Sequence, residues 1–211
     1  MEQIGRRNMM RPESTSYNAS LLSAQKSPDD VQEELLPSVV FLRGVNVGGH
    51  KTFKPSVLAK ELSHLDVVNI GAAGTFVIKK PISQSKLRAE LLKRLPFEPD
   101  IMICSAKEII DIASGDPFAA EPNTPDIVRF VSVMHKPLKS PPELPLVLNP
   151  GDDWLVKVVR IKERFVFGMY RRAMKTITYL GQVEKRLGVS ATTRNWNTIN
   201  AIVKVLKGNA K

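Results

Sequence analysis

Apolar residues first gather at Val39-Val40-Phe41-Leu42, a short unbroken run that reads as an interior strand. The run passes into Arg43-Gly44-Val45-Asn46-Val47-Gly48-Gly49, a loop with three glycines. Pro55 then starts a helix that turns Leu58, Leu62 and Leu65 to one face. Val67 to Ile70 and Thr75 to Ile78 read as two strands joined through Gly71-Ala72-Ala73-Gly74, as a hairpin or a bulged pair. Leu87, Leu91, Leu92 and Leu95 mark a second helix, and Ile101-Met102-Ile103-Cys104 a fourth strand. The order β-α-β-β-α-β is that of a ferredoxin-like split βαβ sheet.

The pattern then repeats loosely. Ser105 and Glu108 form a capping box for a helix carrying Ile109, Ile110 and Ile112, closed by Gly115. Ile127 to Met134 reads as a strand. Five prolines between His135 and Asp153 exclude a helix there and predict an extended crossover. Trp154 to Val159 and Arg164 to Met169 make a hairpin, and a helix follows from about Thr178 to Leu187. Gly188 closes that helix. The polar run Thr192-Thr193-Arg194-Asn195-Trp196-Asn197-Thr198 then opens a last helix, with Thr192 or Thr193 as its N-cap and Ile199, Ile202, Val203 and Leu206 on its buried face. The expected fold is α+β. It has two ferredoxin-like halves, 38–104 and 105–211, sharing one core. The second half is an incomplete copy that lacks the closing strand and ends in a helix pair. Residues 1–37 show no periodicity and read as a disordered tail, with at most a short helix from Asp29 to Leu36 ended by Pro37.

Composition adds limits. The chain of 211 residues is 43% hydrophobic and 25% charged, an ordinary globular balance with room for a real core. No apolar run approaches the ~18 residues of a membrane span, and the first residues lack the apolar stretch of a secretory signal. Cys104 is the single cysteine, which excludes an internal disulfide and fits a reducing compartment. The net charge of +10 is placed unevenly: residues 154–211 hold thirteen basic groups against Glu163 and Glu184. A segment so one-sided attracts polyanions, or simply keeps a face solvated.

Three stretches carry a family resemblance: Phe41-Leu42-Arg43-Gly44-Val45-Asn46-Val47-Gly48-Gly49, Asp116-Pro117-Phe118, and Leu187-Gly188-Val189-Ser190-Ala191-Thr192-Thr193-Arg194-Asn195-Trp196-Asn197-Thr198. Together the chain resembles domain-of-unknown-function family 1697 from about Val39 to Leu206. The resemblance implies a cytoplasmic bacterial protein with two ferredoxin-like halves and implies no activity. The chain departs from the family in three places. Ala72-Ala73-Gly74-Thr75 stands where Gln-Ser-Gly-Asn is usual. Arg171-Arg172-Ala173-Met174-Lys175-Thr176 stands where a turn and Ser-Lys are usual, and the Pro-rich crossover replaces a helix.

Two polar runs hold the candidate chemistry. Arg43, Gly44, Asn46, Gly48 and Gly49 can turn bare N–H groups and a guanidinium toward an anion, or serve a sharp turn with positive φ. The spacing matches neither a Walker loop nor a dinucleotide fingerprint. Thr193, Arg194, Asn195 and Asn197 sit at a helix start, where free N–H groups and a bidentate guanidinium suit a carboxylate or phosphate. Alternatively the hydroxyls are caps, Arg194 ties to an internal partner and Trp196 packs in the core. Arg43 and Arg194 are expected to border one polar cleft. Arg171, Arg172 and Lys175 form a weaker candidate for gripping a nucleic-acid backbone, with Tyr170 or Tyr179 stacking.

His50, His64 and His135 are isolated, so no metal-ligand spacing exists, and no cofactor motif appears. Cys104 reads as inert core, and no Ser/His/Asp arrangement is present. Three functions remain: binding of a phosphate-bearing ligand or nucleic acid, an enzyme acting on an anionic small molecule in the same cleft, or a structural role with no ligand. Oligomeric state stays open.

Overall fold

Strand β1 (Leu36–Arg43) is apolar on both faces because it is covered on both. Val39 and Phe41 face one core cluster, Val40 and Leu42 another. The computed structural model describes residues 35–46, 49, 51–148, 151, 154–173 and 176–208. Residues 1–34, and with them the expectations of a disordered tail and of a helix from Asp29, lie outside the described residues. Leu36 and Pro37 belong to β1 and not to the tail. The register with the neighbouring strand slips between Leu36 and Ser38, at the residue whose ring nitrogen has no hydrogen to give the ladder.

The first half follows the expected order. After β1 come α1 (Pro55–Glu61), β2 (Val67–Asn69), β3 (Thr75–Ile82), α2 (Gln84–Arg94) and β4 (Asp100–Ser105). The strands pair antiparallel in the order β2-β3-β1-β4. Helices α1 and α2 cover one face, bringing Leu58, Leu87 and Leu91 onto Val40, Phe76, Ile78 and Ile103. Leu92 stays exposed, since the buried stripe of α2 is only as wide as Leu87 and Leu91.

The second half runs α3 (Ala106–Ser114), β5 (Ile127–Met134), β6 (Leu146–Leu148), β7 (Val156–Lys162), β8 (Phe165–Arg171), α4 (Thr176–Leu187), β9 (Ala191–Asn195) and α5 (Trp196–Leu206). The capping box at Ser105 and Glu108 forms as expected. All strands are antiparallel in the order β6-β7-β8-β5-β9. Two expectations are corrected. The copy does have a closing strand, because β9 takes that position beside β5, so Thr192 and Thr193 lie in a strand and Asn195 caps α5; it stays incomplete in that no helix stands between β5 and β7 among the described residues. The Pro-rich crossover is extended as expected, but it also contributes the edge strand β6.

The two sheets share a core. Val39, Phe41, Val77 and Met102 of the first meet Val131, Phe165, Phe167 and Met169 of the second through Ile109 and Ile112 of α3 and Ile199 and Ile202 of α5. Helix α4 closes the far face with Val183 and Leu187. The halves therefore form one unit, Glu33–Lys211. Gly168 in β8 makes the packing possible. A Cβ there would stand 2.5 Å from Phe130 Cζ and 2.8 Å from the Lys157 carbonyl oxygen.

Candidate functional site

Along β9 the side chains alternate: Thr192 and Arg194 point inward and are buried, Thr193 and Asn195 point to solvent. The strand thus drives the Arg194 guanidinium into the joint between the halves, 8% exposed. Its Nε donates to Thr75 Oγ1 at 2.8 Å, Nη1 to Thr192 Oγ1 at 2.7 Å and to the Thr193 carbonyl at 2.9 Å. Nη2 donates to the carbonyls of Leu42 and Ala73, each at 2.7 Å. All five N–H donors of a guanidinium are thereby taken up. No carboxylate is among these partners. Burial pulls the Arg194 pKa down to about 10, which leaves it protonated at neutral pH. Arg194 has nothing left to offer a ligand; it bolts β9 to β1 and to the turn before β3.

Arg43 joins the same seam. Its Nε donates to the Ala191 carbonyl at 3.0 Å, and its two Nη groups pair with Asp100 at 3.0 Å and Glu184 at 2.7 Å. The two arginine-bearing turns do meet, as the sequence suggested, but as a packed joint in which Arg43 is already neutralised. Asn46 is also used internally. Its Nδ2 donates to the Ala72 carbonyl and its Oδ1 accepts from Phe53 N, both at 2.9 Å, which braces the glycine loop. Gly44 and Gly49 hold φ of 66° and 77°, the turn geometry that favours glycine. Gly48 lies outside the described residues.

Asn195 and Asn197 lead elsewhere. Asn195 Oδ1 accepts from Asn197 N at 2.8 Å and caps α5. Both residues line a cleft of about 290 Å³ at the ends of β5, β8 and β9. The cleft adds two carboxamides that the sequence did not single out, Asn123 and Asn200, and two guanidiniums, Arg129 and Arg172. Ile127, Val128 and Trp196 complete it. Trp196 is 9% exposed and forms the floor, its ring edge-on to Phe118 at 5.2 Å and to Phe167 at 6.1 Å.

The Asp116-Pro117-Phe118 stretch holds that floor in place. Asp116, at φ 30°, accepts from Phe118 N through its side chain, and Phe118 sits fully buried with the Arg129 guanidinium 5.4 Å above its ring. Arg129 Nη2 reaches the carbonyls of Glu121 at 3.0 Å and Pro122 at 3.4 Å, while its Nε is buried without a partner. The Glu121 carboxylate is turned to Lys157 at 3.1 Å. Arg172 has an exposed side chain with no ion pair among the described residues, and its backbone N–H holds the Asp126 carbonyl at 3.0 Å. Asp126 is kept below the usual carboxylate range chiefly by a hydrogen bond from Thr124, and it lies 4.0 Å from Arg171.

Of the nine residues expected to line one anion site, then, the structure gathers Asn195 and Asn197, together with Arg172 from the nucleic-acid candidate. Thr193 turns away to share a 2.7 Å hydrogen bond with Ser132. Arg171 lies over Trp154 at 5.2 Å, and Lys175 lies outside the described residues. Arg129 was findable: a cation inside the apolar run Ile127-Val128-Arg129-Phe130-Val131, at an inward position, has to meet something polar. Asn123 and Asn200 carry no local signal.

Other features offer less. In a cleft of about 250 Å³ beside α3, Lys107 pairs with Asp111 at 3.2 Å and Glu108 with Arg164 at 2.9 Å, and the lining mixes both signs of charge. A third, about 350 Å³, is an open shelf on α1 lined largely by Phe53, Val57, Leu58 and Pro96. Burial pushes the Cys104 thiol up to about 12, so it is neutral and unreactive. Among the described residues no three His, Cys, Asp or Glu converge to hold a metal ion. No helix among them is long and apolar enough to cross a membrane.

No curated protein matches the chain, and no solved structure does. The family model described as "Protein of unknown function (DUF1697)" matches residues 37–147, which takes in the first half and the Arg129 side of the cleft. That span is more than half of the chain, and the protein belongs to this family of unknown function.

Proposed function

We propose that the protein binds a small phosphate-bearing anion in the cleft between Arg129, Arg172 and the start of α5. One observation carries the reading. Two guanidiniums face a cleft whose lining contains no carboxylate, and neither is paired with one among the described residues. Two cations without a carboxylate partner beside a concave surface attract a doubly charged group, and guanidinium geometry suits phosphate oxygens. Among the described residues the lining also holds no imidazole, thiol or carboxylate to carry a proton, which favours binding over catalysis. The lone buried thiol Cys104 and the family resemblance support a bacterial, cytoplasmic setting.

The test is calorimetric titration of the full chain with inorganic phosphate and a panel of phosphate esters, repeated with Arg172→Ala. Arg172 is exposed and its side chain holds no hydrogen bond or ion pair among the described residues, so the variant should fold. Loss of its guanidinium should weaken phosphate-ester binding about tenfold, equivalent to about 1.4 kcal/mol, and affinity should fall as salt rises. Absence of binding to every phosphate compound, or undiminished affinity in Arg172→Ala, overturns the proposal.

A further inference from the structure

Resting on that reading, we infer that the ligand is a phosphorylated sugar or polyol, and not a nucleotide or a nucleic-acid strand. The cleft's neutral chemistry decides the class. Asn123, Asn197 and Asn200 have side-chain amides without partners among the described residues, and Asn195 spends only its Oδ1 on the cap. A carboxamide presents a donor and an acceptor side by side, which is what a hydroxyl, itself donor and acceptor, needs. Asn197 and Asn200 are three residues apart on α5 and so share a helix face. Several such groups around two guanidiniums match a molecule with one phosphate and several hydroxyls.

Base recognition runs instead on stacking against an exposed ring. The one aromatic residue among the described lining residues, Trp196, is 9% exposed and packs edge-on against Phe118 and Phe167. The nearby Trp154 has Arg171 over its ring. A strand would require a row of cations along its backbone, whereas here two guanidiniums converge on a hollow of about 290 Å³. That volume sits at the small end of the ~300–1,000 Å³ usual for ligand pockets.

The experiment titrates the full chain with glucose 6-phosphate, ribose 5-phosphate, glycerol 3-phosphate, inorganic phosphate, AMP and a single-stranded 12-mer. At least one of the first three should bind ten times more tightly than inorganic phosphate, AMP or the oligonucleotide. Asn200→Ala, on the exposed side of α5, should remove most of that advantage while leaving inorganic phosphate binding as it was. AMP or the 12-mer binding as tightly as the best hydroxyl-rich ester overturns the assignment, and so does inorganic phosphate alone matching it; either result leaves the anion site standing. Failure of all six ligands removes the anion site itself. An advantage that persists in Asn200→Ala counts against the carboxamides as the recognising groups and overturns the inference.

Discussion

Replacing Arg194 tests the reading of the joint most directly. Truncation to Ala strips the partner from three backbone carbonyls, Leu42, Ala73 and Thr193, and from the hydroxyls of Thr75 and Thr192. A hydrogen bond to a charged group contributes roughly 1.5–3 kcal/mol, so five would sum to roughly 8–15 kcal/mol if they added. They do not add, and removing a buried cation recovers a desolvation penalty of several kcal/mol. The expected net loss is about 3–5 kcal/mol, a large part of a domain stability of roughly 5–15 kcal/mol. Arg194→Lys keeps the charge but offers three donors where five acceptors wait, so it should still cost about 2 kcal/mol. The assay is urea unfolding followed by tryptophan fluorescence, to which Trp154 and Trp196, the latter next to β9, both contribute. With a slope of about 2 kcal/mol per molar urea, the Ala variant should unfold about 1.5–2.5 M earlier. In Arg194→Lys at low urea, ligand response at the Arg172 cleft should be unchanged. Both variants unfolding within about 0.3 M of wild type would refute the bolt.

Other consequences follow from single contacts. Asn195→Ala removes the cap of α5 and should cost about 1 kcal/mol by the same assay, while Asn195→Ser should restore most of it. Gly168→Ala places a methyl group 2.5 Å from Phe130 Cζ, and a loss of roughly 1–3 kcal/mol is expected from the forced repacking; the companion change Phe130→Leu should relieve part of it. Cys104 holds its proton in the folded state up to about 12 against an ordinary 9.0. Its contribution is therefore fully present below pH 9 and lost as pH rises through the interval to about 12. Wild type should lose about 1.4 kcal/mol more than Cys104→Ala between pH 8 and pH 10, measured by urea unfolding at each pH. Equal losses in the two proteins would contradict the burial of that thiol.

The first half was legible because its signals are apolar. Val39–Leu42, Ile101–Cys104 and the leucines of α1 and α2 are periodic in hydrophobicity, and periodicity in hydrophobicity is what sequence reading measures. The missing strand of the second half shows the converse. In β9 the buried positions are Thr192 and Arg194 and the exposed ones Thr193 and Asn195, so a period of two runs along the strand with no change in polarity to reveal it. Read by composition, the segment is a polar helix start. Two signals pointed the other way: two adjacent β-branched threonines, and a copied ferredoxin-like half with no fourth strand.

The same inversion governs the site. That the runs around Arg43 and Arg194 matter was visible in the sequence, and so was their meeting; that they meet as structure was not. The sequence by itself determined the element order of the first half, the two-half α+β plan, the capping box at Ser105 and the polar character of the start of α5. Only the tertiary structure decided which cations are spent and which are free, because that depends on partners more than a hundred residues away. Arg194 finds Leu42, Ala73 and Thr75 across the joint, and Arg43 finds Glu184. Arg129 and Arg172 are brought by neighbouring strands to a cleft with no carboxylate among its described lining residues. A guanidinium's chemistry is set by what surrounds it, and surroundings are a property of the fold.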